Sequence, residues 1–210
     1  MTVGRIIETD ADVTEGADWL AAKDDVLAAA YRATGPLPLR RKPDGFAELL
    51  SAIVSQQVST ASARALWGKL QAADVVSAHA VRCRTETELR ALGLSRQKAR
   101  YAHALANAEI DFDGLRRASN QEVVTTLTAV TGIGVWTAEI YAMFSLGRAD
   151  VFAPGDLALQ EAARSLYGLS ERPKERELRR MAEQWSPWRS VAARLLFAYY
   201  RHVKQRDGIT

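Results

Sequence analysis

The sequence predicts an all-α protein of about ten helices. Helix start signals are plentiful, because capping-box pairs occur at Thr85 with Glu88 and at Ser119 with Glu122. Strand signals are scarce, and no repeat, low-complexity tract or long linker separates the helical stretches. A chain of 210 residues is long enough for one compact domain or for two small lobes that share an interface.

Caps, breakers and apolar spacing predict the individual helices. A first helix is expected over about 15–33, ended by Gly35-Pro36. A proline-rich connector follows, and Asp44 is expected to cap the next helix, FAELLSAIVSQQ, which has an apolar stripe at helical spacing. The later helices are expected to begin at serine or threonine caps, namely Ser59, Thr85, Ser95, Ser119 and Ser186, the last followed by a first-turn proline.

Composition narrows the class of protein. The net charge of +3 and the pI of about 9.1 permit a polyanionic partner without requiring one. Cys83 is the single cysteine, which excludes a disulfide within the chain and a four-cysteine zinc or iron–sulfur site. The three histidines show no metal-ligand spacing. Because no signal peptide or membrane-spanning apolar run is visible, we expect a soluble cytoplasmic protein with no membrane partner.

The stretch TGIGVWTAEIYAMF contains a turn that is too short for an ordinary loop between two helices. Gly132 and Gly134 permit positive φ and close approach of other atoms, and Ile133 between them can anchor the turn in the core. The N–H groups at the start of the second helix would then point outward, which makes an anion site suited to a phosphate. The alternative is that the glycines serve only the conformation of the turn.

This stretch and three others resemble one protein family. Residues 127–144, LTAVTGIGVWTAEIYAMF, resemble the helix-hairpin-helix motif of the HhH-GPD DNA glycosylase superfamily. Residues 46–70 with their Gln-Gln junction, residues 91–106 and the segment WSPWRS at 185–190 are similar to further segments of that family, in the expected order. Within the superfamily the resemblance is to the AlkA-type subgroup, DNA-3-methyladenine glycosylase II, in a short form without the amino-terminal β-domain.

The resemblance implies a bilobal helical fold with the active-site cleft between the lobes. The central lobe is expected at about 45–150, with the hairpin at about 120–146, and the second lobe at about 1–44 plus 151–210. The implied partner is double-stranded DNA that contains damaged bases. The resemblance also implies that the protein acts as a monomer, at the nucleoid in the bacterial cytoplasm, and needs no organic cofactor.

Asp156 has two interpretations. In the turn VFAPGD, directly before LALQEAARSLYG, it is well placed to cap a helix. The resemblance instead makes Asp156 the catalytic carboxylate. Breaking an N-glycosidic bond builds oxocarbenium character on the deoxyribose, and a nearby carboxylate stabilises that charge. A single carboxylate suffices when the leaving base is already cationic, as 3-methyladenine and 7-methylguanine are.

Trp136 lies where related enzymes that also cleave the DNA backbone carry a lysine. An indole cannot form a Schiff base, so the resemblance implies a monofunctional glycosylase. Trp136 is expected to line the substrate pocket and stack on an electron-poor base. The alternative is a tryptophan of the core.

The resemblance also suggests how DNA and an ion are held. Gln57 matches the position that fills the gap left by an extruded nucleotide, beside Gln56, although both glutamines could simply cap helix ends. Gly132, Gly134 and the N–H of Thr137 are expected to face a phosphate. The carbonyls of Thr128, Val130 and Ile133 are expected to hold a Na⁺ or K⁺ ion.

Other interpretations remain open on the sequence alone. A non-catalytic helix-hairpin-helix DNA-binding module explains the glycines but not Asp156, and a helical scaffold without a nucleic-acid role explains neither. A glycosylase for deaminated or oxidised bases is the alternative among enzymes. Two basic clusters, Arg40-Arg41-Lys42 and Arg96 with Lys98 and Arg100, are candidates for contacts with the DNA backbone.

Overall fold

A computed structural model of the chain describes residues 3 to 206. Within that range the chain forms thirteen α-helices, one 3-10 helix and no strand, which confirms the predicted all-α class. The helices are α1 Asp10–Lys23, α2 Asp25–Thr34, α3 Phe46–Ser55, α4 Thr60–Ala72, α5 Ala78–Arg82, α6 Glu86–Ala91, α7 Arg96–Asn107, α8 Phe112–Arg117, α9 Asn120–Thr128, α10 Val135–Phe144, α11 Leu157–Leu166, α12 Glu175–Met181 and α13 Arg189–Arg206, with the 3-10 helix at Ala182–Trp185.

The first compact unit is the continuous segment Lys42–Tyr141. The apolar stripe of α3 packs against α7, and its core positions are fully buried, as Leu49 and Ile53 at 0% exposure illustrate. Burying one such side chain contributes about 1.5–3 kcal/mol, so the packing of this helix pair stabilises the unit. α3 ends at Ser55, which places the Gln-Gln junction directly at its carboxyl end.

The second compact unit combines the described residues up to Arg41 with those from Ala142 onward. Its centre is α13, which packs against α11, α2 and α1. The amino-terminal segment pairs with the segment after α10, since Ile7 N–H donates to the Gly147 carbonyl at 2.7 Å and Ala149 N–H to the Arg5 carbonyl at 3.0 Å. The units divide the chain at 41/42 and 141/142, whereas the sequence placed the boundaries near 45 and 150.

Both predicted capping boxes are present. The Thr85 hydroxyl accepts from Glu88 N–H at 3.2 Å, and the Glu88 carboxylate accepts from Thr85 N–H at 2.7 Å. Ser119 and Glu122 form the same reciprocal pair at 3.3 and 2.7 Å. These caps satisfy backbone N–H groups that a helix leaves without partners in its first turn.

Three local predictions are wrong. The single helix expected at 15–33 is two helices, because Asp24 ends α1 and caps α2 by accepting from Val26 N–H at 2.8 Å. Asp44 does not cap α3, since Gly45 holds the N-cap position and the Asp44 carboxylate pairs with Arg116 Nε at 2.6 Å. Ser186 does not cap the last helix, because its hydroxyl donates to Asp150 at 2.9 Å.

Candidate functional site

The glycine turn joins α9 to α10 in the first unit. Ile133 is buried at 4% exposure, and its N–H donates to the Val130 carbonyl at 3.0 Å, so it anchors the turn as predicted. Gly132 has φ +99°, a conformation that side-chain-bearing residues rarely adopt. A Cβ atom at Gly132 would also lie 2.6 Å from Cδ2 of Tyr101, so this position requires glycine for the fold itself.

Gly134 differs from Gly132, because it lies exposed at the N-terminus of α10 and a Cβ atom there would meet nothing within 4 Å. The first hydrogen bond of α10 runs from Ala138 N–H to the Gly134 carbonyl at 3.0 Å. The N–H of Thr137 precedes that bond, in the turn where a helix has no carbonyl of its own to offer. The Thr137 side chain is buried at 6% exposure, so its predicted role in DNA binding depends on this backbone N–H.

The first turn of α10 presents apolar side chains to solvent. Trp136 is 45% exposed and Val135 is 46% exposed. This exposure excludes the interpretation of Trp136 as a core side chain. The π face of an indole attracts cationic rings, which is the property that the predicted pocket role requires.

The Gln-Gln junction lies against the glycine turn. Gln56 Nε2 donates to the carbonyl of Gly132 at 2.9 Å, so one end of this amide is used inside the protein rather than offered to a ligand. Gln57 is exposed and has φ +56°, a left-handed conformation that is unfavourable for a residue with a Cβ atom. The structure therefore brings the predicted wedge residue and the predicted phosphate site together within one unit.

A cavity of about 520 Å³ lies between the junction and the glycine turn, and α7 contributes part of its wall. Two residues of α7 that face it are Lys98 and Tyr101. Lys98 is 8% exposed and its Nζ donates to the carbonyl of Val54 at 2.6 Å. Lys98 is one of the candidates for a DNA-backbone contact, and its ammonium group is directed to the end of α3.

Asp156 lies in the second unit at the N-terminus of α11. Its Oδ1 accepts from Ala158 N–H at 2.8 Å and from Leu159 N–H at 3.2 Å, which confirms the N-cap interpretation. The turn before it is held by Gln160, whose Nε2 donates to the Pro154 carbonyl at 2.8 Å. The positive end of the α11 dipole therefore stabilises the carboxylate and fixes its orientation, which is compatible with a second role in chemistry.

The guanidinium group of Arg40, which belongs to the same unit, interacts electrostatically with Asp156. The guanidinium carbon of Arg40 lies 5.6 Å from the ring centroid of Phe144 and 5.1 Å from that of Phe197. Burial and the neighbouring Arg201 lower the pKa of Arg40, and the charge of Asp156 acts in the opposite direction. Sequence reasoning missed this neighbourhood, because Arg40 and Asp156 are far apart in the chain and share no local pattern.

Residues 3–206 contain no group of three or more His, Cys, Asp or Glu side chains that could hold a metal ion. None of their helices is long and apolar enough to cross a membrane. The predicted Na⁺ or K⁺ site uses backbone carbonyls instead, and one of these, at Val130, already accepts the Ile133 N–H.

A glycine turn between two helices, with the N-terminus of the second helix exposed, places this all-α protein in the class of helix-hairpin-helix proteins. The sequence model of the HhH-GPD superfamily of base excision DNA repair proteins matches residues 50–187. The chain belongs to this family.

The chain is similar to curated proteins over most of its length. It is 26% identical over 196 residues to the alkylbase DNA glycosidase-like protein mag2 of Schizosaccharomyces pombe, covering 88% of this chain and 92% of that protein. It is 32% identical to the probable bifunctional transcriptional activator/DNA repair enzyme AlkA of Mycobacterium tuberculosis, covering 94% of this chain and 42% of that longer protein.

Solved structures agree with the fold. A DNA-3-methyladenine glycosidase from Bacillus halodurans superposes with a TM-score of 0.80 at 32% identity, over 91% of each chain. The 3-methyladenine DNA glycosylase Mag1 of Schizosaccharomyces pombe, in complex with abasic DNA, superposes with a TM-score of 0.76 at 27% identity, over 87% of this chain and 95% of that one.

Proposed function

We propose that this protein is a monofunctional DNA glycosylase that hydrolyses the N-glycosidic bond of alkylated bases of the 3-methyladenine and 7-methylguanine type. The observation that carries the proposal is the match to the Bacillus halodurans 3-methyladenine glycosidase over 91% of both chains. The product would be an abasic site in double-stranded DNA, the first intermediate of base excision repair. We further propose that the protein acts as a monomer in the bacterial cytoplasm, on the nucleoid.

Asp156 supplies the electrostatic part of the reaction. As the base departs, positive charge develops on the deoxyribose, and a carboxylate that is already oriented by two backbone N–H groups stabilises it without reorganising. The same carboxylate accepts a proton from the attacking water. No general acid is required, because an N3- or N7-alkylated purine leaves as a neutral base.

Trp136 supplies the selectivity for cationic bases in this proposal. Its exposed indole stacks on the alkylated ring, and an electron-poor ring is attracted more strongly than a neutral one. Because Trp136 replaces the lysine nucleophile of the lyase subgroup, the sugar is not attacked by an amine and the strand stays intact.

The hairpin and the Gln-Gln junction hold the duplex. Gly134 leaves room for a phosphate at the N-terminus of α10, where the Thr137 N–H and the helix dipole attract an anion. Gln57 enters the gap left by the extruded nucleotide. The Gln56 amide stabilises the glycine turn through its hydrogen bond to the Gly132 carbonyl.

A monovalent cation is part of the same proposal. The carbonyls of Thr128, Val130 and Ile133 would hold Na⁺ or K⁺, and hard oxygen donors of this kind fit such ions. The Val130 oxygen accepts one N–H and retains a second lone pair for the ion. When bound, the ion adds positive charge where a phosphate approaches.

The first test measures release of 7-methylguanine from a duplex in single-turnover experiments. Asp156→Asn should lower the rate about 100-fold or more, because the charge at the sugar is lost. Asparagine is also a good N-cap, so the fold and DNA affinity should persist. The matched control is Asp111→Asn, since Asp111 caps α8 by accepting from Gly114 N–H at 2.8 Å, and it should retain full activity.

The strand should remain uncut until alkali or heat is applied. Borohydride trapping of a protein–DNA adduct would contradict the monofunctional assignment, and a wild-type rate in Asp156→Asn would leave Asp156 as an N-cap alone. A parallel series of duplexes with hypoxanthine or 8-oxoguanine distinguishes alkylated bases from deaminated or oxidised ones.

A further inference from the structure

The carboxyl end of α3 is closed by a side chain from another helix. A helix leaves its last four carbonyls without donors of its own, and that of Val54 is one of them. Lys98 Nζ, 44 positions further along the chain, donates to this carbonyl at 2.6 Å. The next two residues after the helix are Gln56 and the left-handed Gln57, so the contact lies directly beneath the predicted wedge.

Burying the charged side chain of Lys98 at that position is energetically unfavourable. Lys98 is only 8% exposed, and burial lowers the pKa of its ammonium group. In the part of the chain that the structure describes, no carboxylate lies within 4.0 Å of Lys98 Nζ, so its charge is offset mainly by the Val54 carbonyl and the negative end of the α3 dipole. A buried cation with one carbonyl partner adds little to stability, which makes a purely structural role a poor explanation of it.

A second contact from α7 fixes the other side of the junction. Tyr101 lies one turn from Lys98 on α7, and its ring fills the space beside Gly132 where a Cβ atom would be. Gln97 Nε2 donates to the Tyr101 hydroxyl at 2.6 Å and holds the ring in place. The carbonyl of Gly132 in turn accepts from Gln56 Nε2 at 2.9 Å.

We propose that Lys98 is a positioning residue for insertion of Gln57 into DNA. By tying the end of α3 to α7, Lys98 sets the distance between the wedge and the phosphate site at Gly134, and keeps Gln57 in its left-handed conformation before DNA binds. Lys98 itself does not touch the substrate. The proposal rests on the proposed function, because it concerns the step that extrudes the base.

The test compares Lys98→Met, which keeps a long apolar side chain without the donor, with Lys69→Met. Lys69 lies exposed in the last turn of α4, so the control makes the same substitution and removes the same charge. Single-turnover release of 7-methylguanine is measured in two duplexes, one with cytosine opposite the lesion and one with an abasic site there. Lys98→Met should be about tenfold slower on the paired lesion and less than about threefold slower on the unpaired one, where extrusion costs little.

A double-mutant cycle identifies the residue through which Lys98 acts. In a Gln57→Ala background, Lys98→Met should lower the rate of base release from the paired lesion only slightly further, because the wedge is already absent. Independent, multiplicative effects would overturn the proposal. An equal loss on both duplexes would also overturn it, since this is the result of a general loss of folding.

Two binding measurements complete the test. Lys98→Met should bind undamaged duplex as tightly as Lys69→Met does. If the log–log salt dependence of its affinity is instead shallower than that of the control by about one, Lys98 contacts a phosphate directly and the proposal is overturned. Fluorescence of 2-aminopurine opposite an abasic-site analogue reports wedge insertion without base release. It should rise with wild type and not with Lys98→Met, and equal signals would overturn the proposal even if wild type released no base. Such inactivity would reject the proposed function alone.

Discussion

Asp156 is held by the backbone before any substrate arrives. Its Oδ1 accepts from Ala158 and Leu159 N–H groups, so the carboxylate has a fixed orientation at the positive end of α11. A group that must stabilise a short-lived positive charge works best when it need not reorient during the reaction. The N-cap geometry and the proposed catalytic role therefore support each other, whereas the sequence alone made them look like alternatives.

The two glycines of the hairpin have different roles, since Gly132 is required by the conformation of the turn and Gly134 is proposed to leave room for a phosphate. Gly132 has φ +99° and lies against Tyr101, so Gly132→Ala should destabilise the fold. Gly134→Asp should leave helicity and thermal stability nearly unchanged, because open space surrounds that position. It should weaken binding to DNA about tenfold or more at low salt, since it sets a negative charge against an anion site.

The Gly134→Asp measurement uses titrations with undamaged and abasic duplexes. Both affinities should fall together, because a phosphate contact carries no base information. Gly134→Ala is the matched control for added bulk without charge, and circular dichroism confirms folding. An unchanged affinity of folded Gly134→Asp for both duplexes would mean that the glycines serve the turn alone.

At the scale of helices, the sequence predicts what is decided within one turn. The capping boxes of α6 and α9 were identified because their hydrogen bonds join residues three apart. Predictions failed where a distant partner competes for the side chain. Asp24 interrupts the first helix while it also accepts from the Tyr167 hydroxyl at 2.6 Å, and Asp44 is taken by Arg116.

The candidate site divides in the same way. Gly132, Gly134 and Asp156 were identified from local sequence, since a hairpin and a cap are local structures. The Lys98 contact with Val54 was missed because it spans 44 positions, and a lysine in an exposed-looking basic cluster gives no sign that it is buried. The sequence does not decide whether Trp136 lines a pocket or packs in the core, because the exposure of a side chain depends on tertiary packing rather than on helical periodicity.

The loop that precedes Asp156 is attached to α13 by Asp150. Its carboxylate accepts from Arg189 Nε at 2.6 Å and Nη2 at 2.9 Å, and from the Ser186 hydroxyl at 2.9 Å. Burial alone would raise the pKa of Asp150, but the bonds from Arg189 outweigh it and hold the pKa below its ordinary value. The carboxylate therefore stabilises the fold above the unfolded pKa of about 3.9, and this contribution is lost as pH falls through the lower, folded pKa.

Asp150→Asn should lower the free energy of unfolding by about 1–3 kcal/mol at pH 7, because it removes a charge-assisted, partly buried pair. The difference between wild type and variant should shrink as pH falls below about 4. Urea denaturation at pH 7 and pH 3.5 checks both statements. Asp113→Asn is the control, since Asp113 pairs with Arg116 at 71% side-chain exposure and should have little effect. A constant difference at both pH values would contradict the assignment.

At the scale of the molecule, the two compact units differ in how the chain builds them. The second unit needs both ends of the chain, since Ile7 and Arg5 bond to the segment after α10. The first unit is one continuous segment with its own core around α3 and α7. A unit that is built from one continuous segment and has its own core is a candidate for independent folding.

A fragment of residues 42–144, which ends with α10, should therefore fold on its own and keep the wedge and the hairpin but not Asp156. We expect a helical circular dichroism spectrum with a cooperative thermal transition, binding to undamaged duplex, and no release of 7-methylguanine at any concentration. Gly134→Asp within the fragment should remove most of that binding, which assigns it to the hairpin. A folded fragment without affinity for DNA would place the main DNA contacts in the rest of the chain. An unfolded fragment would show that α3 and α7 do not form a sufficient core without the second unit.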